Sequence, residues 1–368
     1  MSSGVSSNAI RVPSFRDVVH GQNAFYHAPD YLQSTARDLA AEAALPTSYV
    51  WNTEYKIIRI VKRILSIVIF PIIIYKLLHA LAGKIALLPA SNPRFFPENH
   101  ANESRRGIAL EGEWKYKRIT VEVDDYKIDA TIVGKASTLG NRRWVLASNG
   151  NGEFYENKLA NNSEFTRILT QVNGNAIVFN YPGVGASLGL PNRQAMAKAY
   201  KAMLALLEDQ HNGIGAREII GYGHSIGGGV QGDALRTHRL QQGIRYVFVK
   251  SRTFSSLAAT ASIITGKPFL GFLVRFLGWN MDSVESSKRL QAPEIIMQTA
   301  RAHGALADSS GIIHDEVIPA ETSLARALLD DNACPRSNKA FIGIRENHNQ
   351  PLRDPSFLAR SIEGYLVV

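Results

Sequence analysis

The segment Gly223-His224-Ser225-Ile226-Gly227 sets a serine midway between two glycines. Glu218-Ile219-Ile220-Gly221-Tyr222 before it reads as a strand, and Ile226-Gly227-Gly228-Gly229-Val230 after it opens a helix. A strand-to-helix turn this tight lifts the serine hydroxyl above the sheet edge. It leaves room for only small residues two positions before and two after, which Gly223 and Gly227 supply. The chemistry such a turn performs is nucleophilic. The hydroxyl attacks once a base removes its proton, and the N–H of Ile226, at a helix N-terminus, faces the oxyanion that forms. A chain of this length meets the five-residue pattern by chance about one time in ten, so the flanking strand and helix carry the reading.

The elements that must hold this turn begin near Arg118. Arg118–Val123 and Lys127–Val133 alternate apolar and polar residues, as half-buried antiparallel strands do, and Asp124-Asp125 turns the chain between them. Arg143–Ser148, Asn175–Asn180, Glu218–Gly221, Tyr246–Val249, Glu294–Gln298 and Lys339–Ile344 are short apolar runs, most of them separated by helical stretches such as Arg193–Gln210 and Ser356–Leu366. Buried strands alternating with helices give an α/β fold with a mostly parallel, doubly wound sheet behind an N-terminal antiparallel hairpin.

From about Arg118 to the C-terminus, about two-thirds of its length, the chain resembles the α/β-hydrolase superfamily of lipase- and esterase-like serine hydrolases. Besides the Ser225 turn, three segments carry the likeness. Ser148-Asn149-Gly150-Asn151-Gly152 stands where the family has its His-Gly-type oxyanion loop, with Asn149 in place of the usual His. Asn180-Tyr181-Pro182-Gly183-Val184-Gly185-Ala186-Ser187 resembles the Asp-Tyr-Arg-Gly-x-Gly-x-Ser segment. Asp315-Glu316-Val317-Ile318-Pro319 resembles the Asp-x-Val-Val-Pro segment that bears the triad acid. The resemblance implies a chain order of nucleophile, acid, base. Of ten histidines, five precede Ser225; His224 lies inside the turn, His238 follows on its helix, and His303 and His314 precede or adjoin the acid. His348, just past Lys339–Ile344, is the implied base. Asp315 is the implied acid; Asp308 is its rival, closer to the end of the preceding strand, and Asp282 a distant third. Backbone N–H groups of Ile226 and of Asn151 or Gly150 would form the oxyanion hole.

The first 107 residues read as a helical extension and residues 108–368 as the catalytic domain. The extension has a Ser-rich start without the apolar core of a secretory signal, a helix-forming stretch at 31–44, and a linker from Ala90 to Gly107. Its main feature is a membrane-seeking segment at 57–88. The net charge is +9, and six of those positive charges (Lys56, Arg59, Lys62, Arg63, Lys76 and Lys84) fall between 56 and 84 with no acidic residue among them. Basic residues punctuating an oily stretch suit an anionic lipid surface better than nucleic acid. The uncharged centre, Ile64–Tyr75, is too short to span a bilayer, and Pro71 would kink it. Three readings stay open: an amphipathic helix in the interface, a span, or an apolar cover on the domain.

No Walker loop, HExxH motif or Cys/His cluster appears, so neither cofactor nor metal is expected; Gly183–Gly189 lacks the spacing of a dinucleotide loop. Cys334 is the only cysteine, which suits a reducing compartment. Phe269–Trp279 is strongly apolar, a core helix or a short wall over Ser225. The sum is a membrane-associated serine hydrolase of lipid esters on the cytosolic side. The alternatives are a depalmitoylase-like thioesterase, or a non-catalytic membrane-tethered module in which His348 lies far from Ser225. The layout also resembles, more weakly, lipase-like effectors that intracellular bacteria such as Legionella deliver into host cells by a dedicated secretion route.

Overall fold

The structure is a computed structural model that describes residues 47–96, 113–124, 126–160 and 162–367. The stretches read from sequence as a Ser-rich start, a helix at 31–44 and the latter part of the linker lie outside these residues. The strands are β1 (Thr47–Trp51), β2 (Trp114–Val123), β3 (Tyr126–Lys135), β4 (Arg143–Ser148), β5 (Asn175–Phe179), β6 (Glu218–His224), β7 (Arg245–Ser251), β8 (Glu294–Thr299), β9 (Gly304–Ala305) and β10 (Lys339–Ile344). They form one sheet in the order β1-β2-β3-β5-β4-β6-β7-β8-β10-β9. The β2–β3 hairpin is antiparallel and leads into six mutually parallel strands, β5, β4, β6, β7, β8 and β10. This is the mixed sheet that the hydrophobic pattern predicts.

The helices are α1 (Lys56–Val68), α2 (Phe70–Ala82), α3 (Tyr155–Lys158), α4 (Glu164–Gln171), α5 (Arg193–Glu208), α6 (Ile226–Leu235), α7 (Leu257–Thr265), α8 (Pro268–Phe276), α9 (Ser283–Arg289), α10 (Leu324–Leu329) and α11 (Ser356–Leu366). Helices cover both faces of the sheet, which is why its strands are apolar without alternation. On one face, Leu146, Ile177 and Ile219 pack with Met196, Met203 and Leu207 of α5 and Val230 of α6. On the other, Val145, Val178 and Ile220 pack with Phe165 and Ile168 of α4 and Leu358 and Ile362 of α11.

Two elements add to the sequence reading. β1 belongs to the stretch read as a helical extension, yet it pairs in parallel with β2 and lengthens the sheet at that edge. The stretch between β8 and Asp315 is long because it folds back as β9, antiparallel to β10.

The segment at 57–88 is two thirteen-residue helices rather than one kinked helix. The break falls at Ile69, whose ψ of 94° leaves the helical region, and Pro71 stands in the first turn of α2, where a missing N–H costs nothing. No helix among the described residues is long and apolar enough to cross a membrane. The cover reading applies to the C-terminal part of the segment, from His79 to Leu88, the last of which is fully buried in the main core. His79 stacks on Trp279 with ring centroids 4.6 Å apart, and a Cβ on Gly83 would come within 2.6 Å of the same indole. Elsewhere α1 and α2 leave Ile57, Ile64, Ile67, Leu77 and Leu81 in solvent. Apolar α8 divides likewise. Val274 and Leu277 are buried, whereas Phe269, Phe272 and Phe276 are each more than 60% exposed, so it is not simply a core helix.

Trp279 is fully buried and donates Nε1–H to the His79 carbonyl at 2.8 Å. Trp279→Ala removes a large buried ring together with a buried hydrogen bond. It is expected to cost about 3–5 kcal/mol in denaturant unfolding and to raise proteolytic cleavage within α2.

Candidate active site

β6 delivers the chain to Ser225, and α6 starts one residue later. Ser225 has φ 54° and ψ −124°, a conformation non-glycine residues rarely adopt. The turn is pinned by Ser225 N–H donating to the Ser251 carbonyl at 3.0 Å and by Thr253 Oγ1 donating to the Ser225 carbonyl at 2.6 Å. The flanking glycines are required by close approach. A Cβ on Gly223 would lie 2.8 Å from Gly228 N, and one on Gly227 would lie 2.6 Å from the Ser148 carbonyl oxygen. Backbone atoms cannot swing away. Gly227→Ala should therefore separate the turn from the 148–152 loop, costing about 1–3 kcal/mol and most of any Ser225-dependent activity, while Gly140→Ala, at an exposed position with open space around it, serves as an inert control.

His348 stands on the loop after β10 and Asp315 on the loop after β9. His348 Nδ1 lies 3.0 Å from Asp315 Oδ2, and its backbone N–H donates to the Asp315 carbonyl at 2.8 Å. The other carboxylate oxygen accepts N–H bonds from Val317 at 3.0 Å and Ile318 at 2.5 Å, and Gln298 Nε2 donates to Oδ2 at 3.2 Å. Burial pushes the Asp315 carboxyl up. The His348 hydrogen bond and charge, with the two backbone N–H groups, outweigh it and leave the group below its ordinary value. Asp315 is thus an acceptor-only carboxylate at neutral pH, as a tautomer-fixing acid must be.

The rival acids stand elsewhere. Asp308 is exposed and takes up the N–H and hydroxyl of Ser310. Asp282 caps α9 by accepting the Glu285 N–H. The His348 ring packs against His224, the residue before Ser225, with centroids 4.8 Å apart. Burial holds His224 well below the usual imidazole range; Glu153 opposes this, and Arg252, His348 and Lys158 reinforce it. The His224 ring is therefore neutral at neutral pH. Ser225 itself is 9% exposed, and its hydroxyl makes no hydrogen bond among the described residues.

The loop read as the oxyanion loop abuts the first turn of α6, and Ser148 Oγ donates to the Gly227 carbonyl at 3.0 Å. Its two candidate donors differ. The Gly150 N–H already donates to the Glu153 carboxylate at 2.7 Å, whereas the N–H of Asn151 makes no hydrogen bond among the described residues. Burial raises the Glu153 carboxyl, but Lys158, His224 and the Gly150 N–H hold it down at about 2, so it remains an anion that occupies Gly150.

Arg252 lies just past β7, outside every motif named from the sequence. It is 2% exposed with φ 48°, and its Nη1 donates to the carbonyls of Asn347 at 2.7 Å and Gln350 at 2.6 Å, clamping the loop that carries His348. Its only sequence signal was a basic residue at the end of β7. A cavity of about 310 Å³ opens beside His348 and His224, walled by Glu153, Lys158, Glu164 and Arg252. Its wall mixes these charged groups with Phe165, Tyr222 and Pro351, and among the described residues no hydrogen bond or ring contact joins α8 to Ser225.

The sheet order, the strained serine between β6 and α6, and the Asp–His pair after the last strands describe a mixed α/β fold of the α/β-hydrolase kind. The family profile described as Chlamydia CHLPS protein (DUF818) matches residues 31–363, and the chain belongs to that family. Comparison with curated proteins found no match. Among solved structures, esterase Pf2001 of Pyrococcus furiosus is similar at 15% identity, with 68% of this chain and 89% of that chain covered and a TM-score of 0.49. An α/β hydrolase from Vibrio vulnificus is similar at 15% identity, over 74% of this chain and 91% of its own, with a TM-score of 0.49. Acetyl xylan esterase 1 from Thermoanaerobacterium sp. is similar at 13% identity, over 70% and 86%, with a TM-score of 0.45. Overlaps this low do not bear on activity. The likeness to effectors of the Legionella type finds no support in these comparisons.

Proposed function

We propose that the chain is a serine esterase that cleaves carboxylic esters of amphiphilic lipids at a membrane surface. The observation behind it is the His348 ring, hydrogen-bonded to Asp315 and packed against the residue that precedes Ser225. In this reading the Ser225 hydroxyl passes its proton to His348 Nε2 as Oγ bonds to the ester carbonyl carbon. The Ile226 and Asn151 N–H groups hold the oxyanion. The carbon–oxygen ester bond then breaks and the alcohol leaves with the proton from His348. Water, deprotonated by the same ring, releases the acid from the acyl-serine.

The leaving alcohol takes its proton from His348, so the charged groups Glu153, Lys158, Glu164 and Arg252 in the wall of the cavity beside that ring suit a hydrophilic head group on the alcohol side. The exposed apolar residues of α1, α2 and α8 suit an acyl-rich surface, and a mean hydropathy near neutral over the whole chain makes that concentration local. The buried, free Cys334 fits a reducing face of the membrane. The unbonded Ser225 hydroxyl favours a second reading, a non-catalytic module of the same fold. Turnover of a short-chain p-nitrophenyl ester and of a phospholipid in vesicles decides between them: hydrolysis of both is expected, and a folded protein that hydrolyses neither sinks the esterase reading.

A further inference from the structure

The α1–α2 unit stands on α5 at two points. At its start, Arg59 of α1 and Lys198 of α5 share the carboxylate of Asp124, at 3.2 Å and 2.7 Å. At its end, His79 Nε2 accepts the Arg193 backbone N–H at 3.4 Å, while the Arg193 guanidinium reaches the Gly278 carbonyl beyond α8 at 3.4 Å. Arg193 therefore sits where both exposed apolar units meet the body of the protein.

Between these points a groove of about 400 Å³ runs along α5 toward α6 and α9. Five cationic side chains, Arg193, Lys198, Lys201, Arg236 and Arg289, and a single carboxylate, Asp233, line it, for a net charge of +4. Three of the cations have acidic partners: Arg193 with Asp233, Lys198 with Asp124, and Arg289 with Glu285. The other two have none among the described residues. Lys201 donates only to the Thr237 hydroxyl, at 3.1 Å, and lies over the Trp51 ring; Arg236 is exposed and unpaired. Burial, and then the charge of Lys198, push the Lys201 amine below its ordinary value. The groove has more cation than the protein neutralises, at the root of the apolar helices.

We propose that this groove binds the phosphate of an anionic lipid head group while the apolar faces of α1–α2 and α8 enter the same leaflet. The inference rests on the membrane-surface reading above and adds to it a site of its own. Its chemistry is that of a phosphomonoester, whose two charges match the unpaired Lys201 and Arg236 better than one charge would. The groove stands apart from Ser225, so it recruits and orients the protein and takes no part in ester cleavage.

The test is flotation of the full chain with three vesicle types: phosphatidylcholine alone, and phosphatidylcholine with either phosphatidic acid or phosphatidylserine at matched surface charge. Wild type is compared with a Lys201→Ala, Arg236→Ala double variant and with an Ile57→Glu, Ile67→Glu, Leu77→Glu variant. Wild type is expected to prefer phosphatidic acid. The double variant should lose about 25-fold of that binding, the effect of two cations near an anionic surface, with binding to phosphatidylcholine and thermal unfolding unchanged. The triple variant should lose binding to all three. If the double variant floats with phosphatidic acid as wild type does, or if phosphatidylserine serves equally well, the groove assignment is overturned and the membrane reading stands. If wild type binds no vesicle, the membrane reading fails first. Titration with inorganic phosphate by calorimetry then shows whether the same two residues serve a soluble phosphate compound, an outcome that also overturns the lipid assignment.

Discussion

Ser225→Ala is expected to lower the ester-hydrolysis rate by about 10⁴-fold or more while leaving the fold in place. The loss is large because, in the proposed mechanism, the hydroxyl is the atom that bonds to the substrate. The fold should survive because alanine occupies the same strained φ of 54° at much the same cost, and the hydroxyl has no hydrogen bond to lose. Thermal unfolding should shift by less than about 1 kcal/mol. Near wild-type hydrolysis by this variant would remove Ser225 from the chemistry.

Asp315→Asn is the second large effect, expected at about 10³ to 10⁴ in kcat. The amide is nearly isosteric and can keep the Val317 and Ile318 N–H bonds through its oxygen. It then turns an NH₂ toward His348 Nδ1, where the ring needs an acceptor. The imidazole is driven into the tautomer with Nε2–H, which cannot take a proton from Ser225. Stability carries a second signature. The folded carboxyl lies below its unfolded value of about 3.9, so its contribution is complete above that pH and is lost as pH falls through the lower folded value. Wild type should thus lose its stability advantage over Asp315→Asn in acid, and a difference constant from pH 7 to pH 2 would contradict this. Asp308→Asn, at an exposed tip away from His348, should leave kcat unchanged.

The sheet was legible because its strands are apolar on both faces, so Lys339–Ile344 and Arg143–Ser148 read with their observed bounds. The serine turn was legible because only glycine fits where backbone atoms of Gly228 and Ser148 press in. Chain order singled out His348, and Asp315 was singled out by the Val317-Ile318-Pro319 that follows it; a hydrogen bond joins the two. Other features leave no such trace. β1 has five residues and precedes two helices, so nothing in its pattern says that it joins β2. Every turn of α8 is apolar, so sequence cannot tell its covered side from its open one. The capture of the Gly150 N–H depends on where the Glu153 side chain turns, and the clamp of Arg252 on the 347–350 carbonyls spans nearly a hundred residues. The basic groove joins α5, α6 and α9, none of which is notably basic on its own.

The most direct measurement is reaction of the full chain with a fluorophosphonate, followed by mass spectrometry of the peptide that contains residues 218–235. A single adduct on Ser225, absent from Ser225→Ala and much slower to form in His348→Ala, is the expected result. A folded protein that stays unlabelled, or that labels equally without Ser225, would contradict the assignment of Ser225 as the nucleophile.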